Sequence, residues 1–177
     1  LKIRNDFPVL AHPVNGKQLV YLDNAATTLK PKQVVDRISH YYLYESSNVH
    51  RGLHFLSDQA TLNFENARKT IQKFIGASTD EEILFNKGTT DSINFIAQTY
   101  GWQYLKAGDE VLVSEVEHHS NIVPWQILAE RKNIVLKTFE VGESSEATLS
   151  YLQNALTDKT KIVSTTHISN TLGITLP

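Results

Sequence analysis

The sequence predicts an α/β fold in which a mainly parallel sheet is covered by helices on both faces. In the second half of the chain, short apolar runs alternate with amphipathic stretches in which apolar residues recur every three or four positions. Polar turns separate these stretches, and such an alternation of strand and helix is typical of parallel sheets. The predicted strands cover residues 82–85, 110–114, 134–141 and 161–166, and the predicted helices cover residues 91–100, 121–131 and 149–156.

The first half of the chain is predicted to be mostly helical. A short strand is expected at residues 21–23. A helix should begin at Pro31, which suits the first helical turn, and run to about Tyr44. A longer helix is predicted for residues 57–75, because apolar side chains recur along one face, and Gly76 is a suitable residue to end it.

Composition and charge argue against several classes of partner. The formal net charge is −2 at pH 7 and no block of basic residues stands out, so neither nucleic acid nor a membrane is expected as a partner. No apolar run approaches the roughly 20 residues that span a bilayer, and no signal-like segment lies near the first residue, so a cytoplasmic protein is expected. Cysteine is absent, which excludes disulfides, thiolate metal sites and a cysteine nucleophile from this chain.

The motif Gly88-Thr89-Thr90 stands at a predicted turn from a strand into a helix. Backbone N–H groups at a helix start bind anions and threonine hydroxyls add donors, so one interpretation is a phosphate site. The other is an ordinary N-cap, with a glycine for the turn and a threonine for an unpaired N–H group. A P-loop nucleotide site is not expected, because the chain has no G-x-x-x-x-G-K-[ST] run.

The next turn from a strand into a helix carries two adjacent histidines, His118 and His119. Ligands of open α/β sheets bind at the carboxyl ends of the strands, which is where this turn should lie. An imidazole there suits stacking on an aromatic ligand, proton transfer or metal binding, whereas many histidine pairs on loops are simply solvated. Because the turn at Thr89 opens on the same edge of the sheet, a flat phosphorylated ring would satisfy both turns.

Two further polar segments contain candidate ligand-binding residues. His50 and Arg51 suit carboxylate recognition, or else they belong to a polar connector before a helix. Asn170 follows the last predicted strand, where it would either bind a ligand or close a turn with Gly173. The histidines lack the close spacing of zinc ligands, and we predict no metal site.

Five segments of the chain carry a resemblance when they are taken together: residues 21–26 (YLDNAA), 49–54 (VHRGLH), 85–94 (FNKGTTDSIN), 117–125 (EHHSNIVPW) and 167–173 (HISNTLG). In this order, they resemble the class V aminotransferase group of fold-type I pyridoxal-phosphate (PLP) enzymes. Within that group they are similar to Suf-type cysteine desulfurases and their selenocysteine lyase relatives. The resemblance covers nearly the whole chain and implies the PLP-binding large domain of that fold.

The resemblance implies a role for each candidate residue. Thr89 and Thr90 would hold the phosphate of PLP, and His118 would lie over the pyridine ring and take part in catalysis by moving protons. Asn170 would reach the ring hydroxyl of PLP and the carboxylate of the substrate. The remaining candidates would line the substrate entrance, partly across the interface of a homodimer: Asn24, Ala25, Ala26, His50 and Arg51.

The resemblance also implies an activity for the complete protein. It would convert L-cysteine to L-alanine, hold the sulfur as an enzyme-bound persulfide and pass it to an acceptor protein for iron–sulfur cluster assembly. L-selenocysteine is the alternative substrate, as in selenocysteine lyase or another class V β-lyase. A non-catalytic dimerisation or assembly module is the alternative function.

The lysine that binds PLP covalently in this family, and its catalytic cysteine, have no counterpart in these motifs. We therefore interpret residues 1–20 as an amino-terminal arm and residues 21–177 as the amino-terminal part of the PLP-binding domain, apparently truncated. PLP chemistry requires a covalent imine, and desulfuration requires a thiolate that takes the sulfur. The isolated chain is accordingly expected to be inactive.

Overall fold

Helices dominate the first half of the chain, as expected. In the computed structural model, which describes residues 2–177, this half is a unit that ends at Phe85. Its main elements are helices α1 (Lys32–His40) and α2 (Phe55–Ile75). α1 continues into a π-helical turn at Tyr41–Glu45, so the prediction of a helix to about Tyr44 is confirmed. α2 ends at Gly76, which has a left-handed φ of 73° and donates its N–H group to a carbonyl of the last turn, as the glycine predicts.

The segment ahead of α1, which includes the predicted amino-terminal arm, contains regular elements. Leu1, its first residue, lies outside the described residues. Asn15 and Gly16 have φ values of 52° and 73°, and such a pair of positive φ angles is typical of an Asn-Gly hairpin turn. The elements of this segment are two 3-10 helices, Lys2–Asp6 and Pro8–Ala11, and the antiparallel strands β1 (Pro13–Val14) and β2 (Lys17–Gln18).

Two predicted strands do not form. Residues 21–23 form no regular element, and a turn follows at residues 24–26. The Tyr21 hydroxyl donates to the carbonyl oxygen of Thr27 at 2.6 Å, across this turn. At residues 82–85 the chain leaves a 3-10 turn, and no strand within residues 2–177 pairs with it. Ile83 is buried there, but its carbonyl accepts a hydrogen bond from the Arg68 guanidinium and does not join a strand ladder.

A three-stranded parallel sheet forms the centre of the second unit, Asn86–Pro177. β3 (Glu110–Ser114) lies in the middle, between β4 (Val135–Phe139) and β5 (Thr160–Ser164). The helices are α3 (Thr89–Ile96), a π-helical turn (Ala97–Gly101) that leads into α4 (Trp102–Tyr104), α5 (Val123–Lys132) and α6 (Ser145–Ala155). The parallel arrangement predicted from the sequence is confirmed.

β3 is buried on both faces of the sheet. On one face Val111 and Val113 pack in a core cluster with residues of the helical segments, among them Trp125 and Leu128. On the other face Leu112 is 0% exposed, and its register partner Lys137 donates to a carbonyl at the end of α6 at 3.4 Å. Helices therefore cover both faces. No helix within residues 2–177 is long and apolar enough to cross a membrane.

α6 begins four residues earlier than predicted. The sequence predicts a helix from residue 149, but the helix starts at Ser145. Ser144 is its N-cap, and its hydroxyl oxygen accepts a hydrogen bond from the N–H group of Ala147 at 3.1 Å. A serine cap satisfies one of the N–H groups left free at a helix start, which explains the earlier boundary.

The buried position of β3 predicts unequal effects of the same truncation on two strands. Val111→Ala removes two methyl groups from a side chain that is 0% exposed, so it should lower the free energy of unfolding by about 2–3 kcal/mol. Val163→Ala, in β5, is the matched control and should cost less than about 1 kcal/mol, since Val163 is 45% exposed. Urea unfolding measures both values, and equal losses would contradict a core centred on β3.

Candidate functional site

A cavity of about 310 Å³ opens at the carboxyl ends of β3 and β5 in the second unit. Its volume lies at the lower end of the roughly 300–1,000 Å³ typical of small-molecule sites. The cavity brings together Thr89 and His118, which lie on the two turns that the sequence places on one edge of the sheet. The lining residues are Thr89, Ile93, Glu117, His118, Ser120, Asn121, Ser164, Thr165 and Thr166.

The start of α3, with Thr89, forms the side of the cavity whose chemistry suits an anion. Gly88 precedes the helix with φ 155° and ψ 179°, a backbone conformation that is essentially restricted to glycine. The first N–H groups of a helix have no carbonyl partner within it and carry partial positive charge, so they attract anions. Asp91 lies in the same turn, but its carboxylate accepts a hydrogen bond from the backbone N–H group of Lys87 at 3.3 Å.

Thr90 and Asn170 do not line this cavity. Thr90 is exposed, and its carbonyl accepts a hydrogen bond from the Asn94 side chain at 2.9 Å. Asn170 is exposed in a turn where the N–H group of Gly173 donates to the carbonyl oxygen of Ser169 at 2.8 Å. The turn that ends at Gly173 is therefore present, whereas the ligand-binding roles of Thr90 and Asn170 stay predictions.

The two adjacent histidines occupy different positions. His118 lines the cavity and is the N-cap of a 3-10 turn, His119–Asn121. Its Nδ1 accepts a hydrogen bond from the N–H group of Ser120 at 3.1 Å, and the Ser120 hydroxyl oxygen is 3.0 Å from the same nitrogen. The centroid of the His119 ring is 6.1 Å from that of His118, and His119 is exposed outside the cavity lining. Within residues 2–177, no group of three or more metal-ligating side chains is arranged to hold an ion.

A hydrogen-bond network around Glu117 fixes the turn that carries His118. The Glu117 carboxylate accepts hydrogen bonds from the Ser114 hydroxyl at 2.6 Å, from the backbone N–H group of Thr166 at 2.7 Å and from the Asn121 side-chain amide at 2.8 Å. Ser114 is the last residue of β3, and Thr166 follows β5. One carboxylate therefore connects the ends of two neighbouring strands.

Asn121 extends this network to the apolar core. Its amide nitrogen also donates to the carbonyl oxygen of Ser164 at 3.0 Å. Its amide oxygen accepts from the Ser164 hydroxyl at 2.6 Å and from the Trp125 indole N–H group at 3.1 Å. Asn121 is 6% exposed and Trp125 is 1% exposed, so these bonds form away from solvent. We call Glu117, Asn121, Ser164 and their partners in these bonds the Glu117 network.

The sequence did not assign a function to Glu117, Asn121 or Ser164. One local pattern could have indicated Asn121: it stands four residues before Trp125, a spacing that brings two side chains together across one helical turn. Ser164 is the last residue of β5, directly after the apolar pair Ile162 and Val163. Its bond to Asn121 spans 43 residues of sequence, which no local pattern reveals.

Apart from Asn170, the candidate substrate-binding residues lie in the first unit. Asn24, Ala25 and Ala26 form an exposed turn, and Arg51 is also exposed. His50 has a positive φ of 67° and is tied to α2, because its Nε2 lies 3.2 Å from a carboxylate oxygen of Glu65. These residues have defined local structure, and their binding roles stay predictions.

The Glu117 network predicts a loss of stability from a nearly isosteric substitution. In Glu117→Gln an amide NH₂ group replaces one acceptor oxygen, so it faces either the Asn121 amide or the Thr166 N–H group, and one donor is left unpaired. The free energy of unfolding should fall by about 1–3 kcal/mol. Glu140→Gln, at an exposed position on the same unit, is the control and should change it by less than about 0.5 kcal/mol. Equal stability of the two variants in urea unfolding would contradict the importance of the network.

Comparison with known proteins places the chain in a family. The family model described as Aminotransferase class-V matches residues 20–177. A probable cysteine desulfurase of Staphylococcus aureus (strain Mu50) is 49% identical over 97% of this chain and 42% of its own length. A cysteine desulfurase of Synechococcus elongatus is 46% identical over 99% of this chain and 28% of its own length. The chain thus spans about a quarter to two fifths of the length of such relatives, with 26% the smallest of these shares.

Solved structures agree with this placement. The apo structure of a cysteine desulfurase from Thermococcus onnurineus matches with a TM-score of 0.85 and 37% identity, over 99% of this chain and 42% of that one. A cysteine desulfurase from Escherichia coli matches with a TM-score of 0.82 and 32% identity, over 99% of this chain and 43% of that one. The predicted large-domain fold of fold-type I enzymes is confirmed. The chain belongs to the class V aminotransferase family.

Proposed function

We propose that this chain is the amino-terminal part of a PLP-dependent cysteine desulfurase and supplies one side of its cofactor site. The observation that carries the proposal is the cavity that Thr89, at the start of α3, shares with His118. One side of this cavity suits a phosphate and the other suits a flat ring. Relatives named as cysteine desulfurases, at 45–49% identity, support the choice of reaction.

The chemistry of the lining residues fits PLP. The free N–H groups of the first turn of α3 and the Thr89 hydroxyl are donors for a phosphate. The imidazole of His118 is a flat face for a pyridine ring. The nine lining residues include no lysine, so the contacts they offer are non-covalent.

The residues of this chain act in the proposed mechanism by binding and orienting. When bound, PLP supplies an electron sink for the amino acid substrate. The start of α3 would hold the phosphate of PLP through its N–H groups and the Thr89 hydroxyl. His118 would cover the ring, and the Glu117 network fixes the turn that carries His118.

The substrate and partners of the whole protein belong to the same proposal. We propose L-cysteine as the substrate, L-alanine as the product and a sulfur-acceptor protein in iron–sulfur cluster assembly as the recipient. Asn24, Ala25, Ala26, His50, Arg51 and Asn170 are proposed to contact the substrate. Several expectations stay predictions: a homodimer, the alternative substrate L-selenocysteine, the alternative function of a non-catalytic dimerisation module, the boundary after residue 20 between the arm and the PLP-binding domain, and a cytoplasmic location.

The proposal predicts that His118 contributes to PLP affinity and His119 does not. His118→Ala removes the flat cover and should weaken PLP binding to the chain by about tenfold in equilibrium dialysis. His119→Ala is the matched control, because it deletes the adjacent imidazole outside the cavity lining, and it should bind PLP as the unmodified chain does. Failure of the unmodified chain to bind PLP, or equal affinity of the two variants, would contradict the proposed site.

The chain by itself is predicted to have no desulfurase activity. Its 177 residues include no cysteine, so no thiolate is present to take the sulfur of the substrate. Incubation with PLP and L-cysteine should yield no alanine above the level found with PLP alone. A complete cysteine desulfurase is the positive control, and alanine production by the chain would refute this prediction.

A further inference from the structure

The hydrogen bonds at His118 determine which ring nitrogen carries the proton. Nδ1 accepts from the backbone N–H group of Ser120 at 3.1 Å. A backbone N–H group can only donate, so Nδ1 must present a lone pair to it. A neutral imidazole has one protonated nitrogen, and in His118 that nitrogen is therefore Nε2.

The Ser120 hydroxyl is compatible with this assignment. Its oxygen lies 3.0 Å from Nδ1, and a hydroxyl rotates to donate or to accept as its partner requires. The backbone N–H group has no such freedom, so it decides the tautomer and the hydroxyl follows. Within residues 2–177, no hydrogen bond involves His118 Nε2, so nothing described favours the opposite tautomer.

The fold holds this arrangement in place. His118 has the extended backbone of an N-cap, φ −71° and ψ 149°, and its carbonyl accepts from the N–H group of Asn121 at 2.8 Å. Glu117 and Asn121, on either side of this turn, are both held in the Glu117 network. Moving the proton from Nε2 to Nδ1 would remove the acceptor of the Ser120 N–H group. It would therefore break the cap of a turn that the Glu117 network holds.

We infer that Ser120 is a positioning residue that holds His118 as the neutral tautomer protonated at Nε2. In this state His118 serves PLP as a flat cover with a hydrogen-bond donor at Nε2. While the cap is formed, the lone pair of Nδ1 accepts the hydrogen bond from the Ser120 N–H group. The tautomer follows from this chain's own bonds, and its relevance to PLP rests on the proposed function.

The hydrogen bond at Nδ1 limits the proton-moving role that the family resemblance implies for His118. A neutral imidazole accepts a proton only at its unprotonated nitrogen. In His118 that nitrogen is bonded to Ser120, so taking up a proton requires the bond to open. Covering and orienting the ring require no such opening, and these are the roles that the capped state can perform.

The direct test is ¹⁵N NMR of the imidazole rings in the chain without PLP. At a pH of about 8.5 an ordinary imidazole is neutral, so the ring shifts report the tautomer. His118 should show an unprotonated Nδ1 and a protonated Nε2. His119 is the internal control, since its ring makes no hydrogen bond within residues 2–177, and it should show an average of both tautomers. Protonation of His118 at Nδ1, or averaging equal to that of His119, would overturn the inference.

Two substitutions at His118 separate capping from ring stacking. Asparagine caps helix starts well, so His118→Asn should keep the unfolding constant within about twofold of the unmodified chain. His118→Ala removes the cap and should raise that constant about fivefold. Both variants should bind PLP more weakly, because both lack the ring. Equal destabilisation of the two variants would overturn the capping role, whereas normal capping without any PLP binding by the unmodified chain would refute only the proposed function.

Discussion

The carboxylate of Glu117 and the amide of Asn121 hold the carboxyl ends of two parallel strands to the start of a helix. The hydrogen bonds that these two side chains make replace hydrogen bonds to water. Because Asn121 is almost fully buried, removing one partner would leave a buried polar group unpaired and lower the stability of the fold. A fully satisfied polar network of this kind favours one arrangement of the chain over its alternatives. The turn between the two residues carries His118, which therefore has a defined place beside α3.

Apolar packing and polar bonding meet at Trp125. Its ring belongs to the core cluster that covers Val111 and Val113, and its indole N–H group donates to Asn121. The same side chain therefore joins the buried face of the sheet to the Glu117 network and, through it, to the cavity. The wall of the cavity is therefore joined to the core, because Asn121 lines the cavity and also bonds to Trp125. The cavity lies at the carboxyl ends of β3 and β5. That is the common position of ligand sites in open α/β sheets, outside the carboxyl ends of the strands.

The parts of the fold that the sequence predicted are those determined by local pattern. β3 is a continuous apolar run between polar residues, and its bounds agree with the predicted 110–114. Residues 82–85 look similar, but a strand needs a partner, and Ile83 takes its hydrogen bond from Arg68 instead. The shared cavity of Thr89 and His118 followed from the position of two turns on one edge of the sheet. The Glu117 network did not, because its bonds to Ser164 and Thr166 join residues more than 40 positions apart.

One cavity, between the start of α3 and His118, is proposed to take the phosphate and the ring of PLP. A crystal structure of the chain soaked with PLP tests this proposal. We expect the phosphate to lie against the first turn of α3 at Thr89 and the ring to lie beneath the imidazole of His118. PLP bound elsewhere, or bound in this cavity with its phosphate turned away from Thr89, would contradict it.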